Sequence, residues 1–311
     1  MKRFKKILVG VDLSWGDCFV ADELSEPNAE AVRQALWLGQ LNSASVDFLF
    51  SLDLSAKAQQ LIAESNTDET IVLDEAENRL AELVAKARHE GVDADSHVVA
   101  GKSWLELIRQ VHRNQHDLVL VGTRHMSAMR GFFLGSTAIK LLRKCPCAVW
   151  VTQPRAGQDF DSILVAHDLR PVGDLAMELG CSMASLQDAQ LHVVHAAEFP
   201  EFDYMFPARI SAERKQAYRN EAERHIETQL VAANLPMPAK MHFVIEPPDI
   251  AITNCIEQHD IDLVVMGTVG RTGIEGFITG NTAERLLSQI PCSLLAVKPP
   301  GFESPVSSSR L

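Results

Sequence analysis

The stretch Val264-Val265-Met266-Gly267-Thr268-Val269-Gly270-Arg271-Thr272-Gly273, continuing to Gly280-Asn281-Thr282, decides how the rest of the chain reads. An apolar run of β type, Leu263 to Met266, stops at a glycine-dense loop, and a helical pattern resumes at Thr282-Ala283-Glu284-Arg285-Leu286-Leu287. Strand, loop and helix start follow one another. Glycine lets backbone approach a ligand closely, and the unpaired N–H groups and dipole of a helix start favour an anion. A single loop of this kind is as readily a tight turn. A second copy changes the balance: Leu118-Val119-Leu120-Val121-Gly122-Thr123-Arg124-His125 runs on to Gly135-Ser136-Thr137-Ala138. Gly122 and Gly267 stand 145 positions apart, as do Gly135 and Gly280, and Leu141 and Leu286. The chain is a tandem repeat.

Working outward, each half contains five short apolar runs separated by helical patterns. Lys6 to Asp12 and Ser162 to Asp168 are near-continuous Val, Ile and Leu ending in aspartate, the pattern of a strand buried on both faces. Val46 to Phe50 matches Leu191 to His195, Ser96 to Gly101 matches Met241 to Glu246, and Ala148 to Val151 matches Leu294 to Val297. Helices are expected over Ala29 to Leu41, Asp74 to Glu90 and Trp104 to Asn114, and over Ala176 to Leu186, Ser211 to Ala233 and Ile250 to His259. Alternation of this kind predicts α/β domains with parallel sheets, helices on both faces and right-handed crossovers. Two open-sheet domains are expected, 1–153 and 160–299, related by a pseudo-twofold and followed by a flexible tail, 300–311. The strand-ending aspartates are 156 apart instead of 145, so the first half carries 11 extra residues. They lie in the loop after Asp12, at the carboxyl ends of the strands where ligands bind in such sheets. Trp15 and Phe19 are thereby placed to fill or cover the first site, or simply to elaborate the surface.

At 311 residues and 46% apolar, the chain can bury two cores. A net charge of −12 argues against nucleic acid or an anionic membrane as partner. Six cysteines show neither a disulfide framework nor zinc-type spacing. Cys145-Pro146-Cys147 invites a redox reading, but Pro291-Cys292 stands at the matching place, and both lead into apolar runs. With no secretory leader pattern and no apolar run of 18 residues, a cytoplasmic protein is expected.

A strand-ending aspartate, followed after the fourth strand by Gly-x2-Gly-x9-Gly and a small polar residue, twice in one chain, resembles a tandem universal stress protein. That resemblance implies a five-stranded sheet of order 3-2-1-4-5 in each domain, a pseudo-dimer within one chain that could pair again as a homodimer, and ATP with Mg²⁺ as cofactor in members that keep the motif. It assigns nucleotide binding in the second half to Ala166, Asp168, Ala196, Gly267, Thr268, Gly270, Arg271, Gly280, Asn281 and Thr282. Asp168 would lie by the ribose and adenine, Ala196 would flank the base, and the loop would wrap the phosphates. Asn281 departs from the usual Ser or Thr, although an amide can also donate to phosphate. In the first half the matching set is Asp12, Gly122, His125, Gly135 and Ser136, with His125 at the place of the second glycine. A Cβ there obstructs backbone approach, so a degenerate site without ATP is expected.

No Walker-type loop, dinucleotide fingerprint or hydrolase elbow is present. His192 and His195 point to opposite sides of one strand, so no joint metal site is expected, and no metal ligand or catalytic residue is assigned. Any hydrolysis of ATP should be slow and rest on positioning and a divalent ion. The leading reading is a stress-response nucleotide-binding or sensing module. Two others stay open: a scaffold acting through protein partners, and a carrier of an apolar or lipid-like ligand near Phe199, Phe202, Tyr204, Met205 and Phe206.

Overall fold

A computed structural model describes residues 3–14, 18–53, 69–123, 135–154, 159–197, 211–268 and 290–306. The chain divides into two compact units, Met1–Pro154 with Phe302–Leu311, and Arg155–Gly301.

In the first unit the described elements are β1 (Lys6–Gly10), α1 (Glu26–Asn42), β2 (Ser45–Leu52), α2 (Glu69–His89), β3 (Ala94–Ala100), α3 (Ser103–Asn114), β4 (Leu118–Gly122), α4 (Ser136–Lys144) and β5 (Ala148–Thr152). Strand order is β3-β2-β1-β4-β5, and each pairing is parallel, with Ile7 opposite Val46 on one side and Leu118 on the other. The strands are short because both faces are covered: Ile7, Leu8, Val9 and Leu118, Val119, Leu120 have no exposed surface. Right-handed crossovers put α1 and α2 on one face and α3 and α4 on the other. The packing agrees, since α3 contacts α4.

The second unit repeats the plan with β6 (Ser162–Ala166), α5 (Pro171–Gln187), β7 (Gln190–Ala196), α6 (Ala212–Ala233), β8 (Lys240–Val244), α7 (Pro248–His259), β9 (Leu263–Gly267) and β10 (Ser293–Val297). Its order is β8-β7-β6-β9-β10, again parallel throughout. Here α5 packs with α6. Each unit is an open α/β sheet in the order 3-2-1-4-5.

Several helices begin a turn before their apolar stripe does. Pro27, Pro171 and Pro248 occupy the first turns of α1, α5 and α7, where the missing N–H costs no intrahelical bond and the fixed φ suits the helix. The same helices end where the backbone turns left-handed, at Ser43, Asp188 and Asp260, and α3 ends so at Gln115. In the C-terminal segment, Ser304 Oγ donates to the Lys144 carbonyl at the end of α4 (2.6 Å).

Candidate functional site

In both units the central strands β1, β4, β6 and β9 are buried through their middles and become half-buried at their carboxyl ends. Gly10, Ser51 and Gly122 in the first unit, and Ala166, Ala196 and Gly267 in the second, are half-buried residues ending or nearly ending a strand whose middle is buried. All are small, so a shallow floor forms where each sheet meets the N-terminal turn of a helix.

Gly122 and Gly267 are there for packing. A Cβ on Gly122 would come within 2.6 Å of the Pro27 carbonyl, and one on Gly267 within 2.8 Å of both Val172 methyls. The first turns of α1 and α5 therefore sit directly against the strand ends. Thr268 is buried and turned inward: its hydroxyl donates to the Val297 carbonyl (3.2 Å) and accepts from Lys298 Nζ (2.9 Å). Lys298, itself buried, stands at the base of the glycine loop, and the sequence reading passed over it.

The strand-ending aspartates fold back in the same way. Asp12 Oδ1 accepts from Ser14 N and Asp168 Oδ1 accepts from Arg170 N, each at 3.1 Å. What differs is the helix residue beneath. In the first unit, Asn28 is buried and clamps the Asp12 backbone at both ends, Asp12 N donating to Asn28 Oδ1 (3.1 Å) and Asn28 Nδ2 donating to the Asp12 carbonyl (3.2 Å). The matching residue in the second unit is Gly173, and the Asp168 carboxylate lies so close over it that a Cβ would collide with Oδ1. Asp168 is thus an exposed carboxylate resting on the first turn of α5.

Two histidines brace this edge from below. His195 Nδ1 donates to the His167 carbonyl (2.8 Å), which leaves its Nε2 to accept from the Tyr218 hydroxyl (2.8 Å). His167 Nδ1 accepts from Leu169 N (2.9 Å), so its Nε2 carries the proton, facing Gln229 Oε1 at 3.2 Å and Asp174 Oδ1 at 3.4 Å. Burial holds the His167 imidazole below its ordinary pKa despite the nearby Asp174 carboxylate. Asp174 Oδ1 also accepts from His225 (2.8 Å) and from Gln229 Nε2, and these two hydrogen bonds outweigh burial and lower its pKa. Both His167 and His195 have both ring nitrogens in protein hydrogen bonds and fix the backbone that presents Asp168.

In the first unit a cavity of about 260 Å³ opens between the ends of β1, β2 and β4. Asp12, Gly122 and Gly135 line it together, and Ser136 begins the adjoining helix. The N-terminal turns of α1, α3 and α4 reach it through Asn28, Ser103 and Thr137. From the inserted loop, Cys18 and Phe19 line the same space, and Trp15 lies outside the described residues. Its described lining holds two carboxylates, Asp12 and Asp53, and no Lys or Arg. Helix starts favour an anion there and the carboxylates oppose one.

Of the residues assigned from sequence, the structure brings Ala166, Asp168, Ala196, Gly267 and Thr268 to one edge of the second unit. Gly270, Arg271, Gly280, Asn281 and Thr282, and His125 in the first half, lie outside the described residues, as do Phe199, Phe202, Tyr204, Met205 and Phe206. The sequence reading also missed Asn28 and Gly173, although their contrast is visible once the halves are aligned.

No helix among the described residues is long and apolar enough to cross a membrane. The universal stress protein family profile matches residues 3–153 and again 159–298. Universal stress protein E of Photorhabdus laumondii is 24% identical over the whole of both chains. Universal stress protein E of Escherichia coli is 26% identical, over 90% of this chain and 94% of its own. A solved universal stress protein from Pseudomonas aeruginosa superposes with a TM-score of 0.71 at 21% identity, covering 95% of this chain and 94% of the other. With the profile spanning both units and the sheet order agreeing, the chain belongs to the universal stress protein family, a family of stress-response proteins, and carries two of its domains in tandem.

Proposed function

We propose that the chain is a cytoplasmic nucleotide-binding or sensing module that takes ATP with Mg²⁺ in its second domain and no ATP in its first. The observation that carries this reading is the second unit's strand edge. Asp168 stands exposed on the first turn of α5, beside the small half-buried residues Ala166, Ala196 and Gly267. A carboxylate so placed can accept from ribose hydroxyls, and the small floor leaves room for a flat base. The sequence Gly267-x2-Gly270-x9-Gly280-Asn281-Thr282 would follow the phosphates with backbone N–H groups. Magnesium would neutralise phosphate charge that the acidic chain otherwise repels. Six cysteines without the spacing of a disulfide framework agree with a reducing compartment.

For the first domain, His125 in place of a glycine, the Asn28 clamp and the Asp12 and Asp53 carboxylates all support a different occupant. A hydrolytic turnover, where present, is slow and independent of any single side chain outside the loop.

Calorimetric titration with Mg-ATP tests the assignment. One site per chain is expected, with Asp168→Ala weakening it at least tenfold and Asp12→Ala leaving it unchanged. Loss of binding in Asp12→Ala alone would move the site to the first domain. No binding at all would favour action through protein partners.

A further inference from the structure

The face of the second sheet that packs on α7 carries a side-chain cluster that the nucleotide site leaves unused. Alternation along β7 sends His195 toward Tyr218 of α6 and His192 to the opposite face. On the neighbouring strand Lys240 pairs with His192, so His242, two residues further, lies on His192's side of the sheet. Cys255 and His259, one helical turn apart on α7, meet them from above. The ligand atoms of His192, His242, Cys255 and His259 all lie within 4.8 Å of one another. His192 Nδ1 and His242 Nε2 are 3.0 Å apart. The ring centroids of His192 and His242 lie 5.2 Å apart, and those of the two with His259 at 4.5 and 4.7 Å.

Such crowding is unfavourable for imidazolium. Neutral rings present lone pairs. The other histidine cluster of this unit is different in kind: both ring nitrogens of His167 are taken up by the protein, Nδ1 by Leu169 N and Nε2 by Gln229.

The internal repeat shows what the cluster replaces. Asp47, His97, Gln110 and Asn114 occupy the same four positions in the first unit, 145 residues earlier. There the Asp47 carboxylate gathers His116 Nε2 (2.9 Å), Asn114 Nδ2 (3.3 Å) and His97 Nε2 (3.7 Å), and the network carries its own anion. In the second unit the carboxylate has become an imidazole, the asparagine a second imidazole and the glutamine a thiol. Those exchanges convert a hydrogen-bonded network into three nitrogens and a sulfur converging on one point.

We propose that His192, His242, Cys255 and His259 bind one Zn²⁺ ion in a closed, structural site that fastens α7 to β7 and β8. Tetrahedral zinc, with Zn–N near 2.0–2.1 Å and Zn–S near 2.3 Å, places its donors ~3.3–3.8 Å apart. A group already within 4.8 Å reaches that by small side-chain adjustments. Binding replaces the Cys255 S–H bond by a Zn–S bond and releases one proton to solvent. The thiolate offsets one of the two metal charges, and Lys240, the nearest lysine in register, is exposed to solvent. His192 lies four residues, ~13 Å along the strand, from the Ala196 edge, so the site does not depend on the nucleotide reading.

The test uses the full, untagged, reduced chain, depleted of metal and titrated with Zn²⁺ and, separately, Co²⁺. One equivalent of each is expected, Co²⁺ giving intense tetrahedral visible bands and a near-ultraviolet thiolate-to-cobalt band. Cys255→Ser should remove the thiolate band, and His259→Gln should weaken Zn²⁺ at least about tenfold, since even outer-shell partners are worth that much. Cys145→Ser with Cys147→Ser should change neither. Wild-type protein that binds no equivalent of Zn²⁺, or Co²⁺ without a thiolate band, overturns the proposal whether or not the variants fold. So does a Cys255→Ser band identical to wild type.

Discussion

Asp47 shows what one carboxylate does where the second unit has His192. Burial alone would raise its pKa, but the His116 hydrogen bond, the His97 imidazole 3.7 Å away and the Asn114 amide outweigh it and hold the group far below the ordinary carboxylate range. The same contact raises the His97 pKa against its partial burial. The signs then fix a pH window. A lowered carboxylate contributes stability above its unfolded pKa, ~3.9, and loses it as pH falls through the folded value. A raised histidine contributes below its unfolded pKa, ~6.5, and loses that part as pH rises through the folded value. Asp47→Ala should therefore cost about 3 kcal/mol, as removal of one partner from a buried pair does. The gap in melting temperature to wild type should be widest between about pH 4 and 6.5. A gap that keeps growing toward pH 9 would show that the network is not held by this charge. None of this was legible in the Asp47 run alone, which reads only as a polar residue inside an apolar strand. The partners come from β3, the end of α3 and the turn after it, and sequence spacing carries no information about such a meeting. Aligning the halves does, because Asp47 against His192 and Gln110 against Cys255 mark one position with two chemistries.

At the scale of elements, the strands were readable because runs buried on both faces cannot be mistaken for amphipathic segments, whereas their order came from the family resemblance and not from the runs themselves. The internal repeat then confirmed each run by its copy. Helix starts were less readable, since the first turns of α1, α5 and α7 carry proline and polar residues ahead of the apolar stripe. The candidate site was legible as far as its glycines, but Gly267 has a packing reason that its place beside the loop did not suggest. Substitution separates the two glycines of the repeat. Gly122→Ala sets a methyl against backbone of α1, which cannot yield, whereas Gly267→Ala meets the side chain of Val172, which can turn. Both should lower the melting temperature within the ~1–3 kcal/mol range of overpacking, Gly122→Ala by more. Equal losses, measured by denaturant titration, would mean that the strand end moves as a whole.

For the whole molecule, one fold carries two unlike sites at matching strand ends. The first unit clamps its aspartate loop with Asn28 and lines a cavity with carboxylates, while the second lays Asp168 over Gly173. ATP bound only to the second unit should stabilise that unit by about 2.7 kcal/mol at a hundredfold excess over Kd. Hydrogen exchange should then slow at the ends of β6 and β9 and at the start of α5, and stay unchanged around the first-unit cavity. The most direct test is to denature freshly purified, undialysed protein and identify the released small molecules by mass spectrometry, with Gly270→Val alongside. ATP or ADP near one per chain, absent from the variant, is the predicted result. Wild-type protein that releases no nucleotide, or a variant that releases as much as wild type, would contradict nucleotide binding by the second domain.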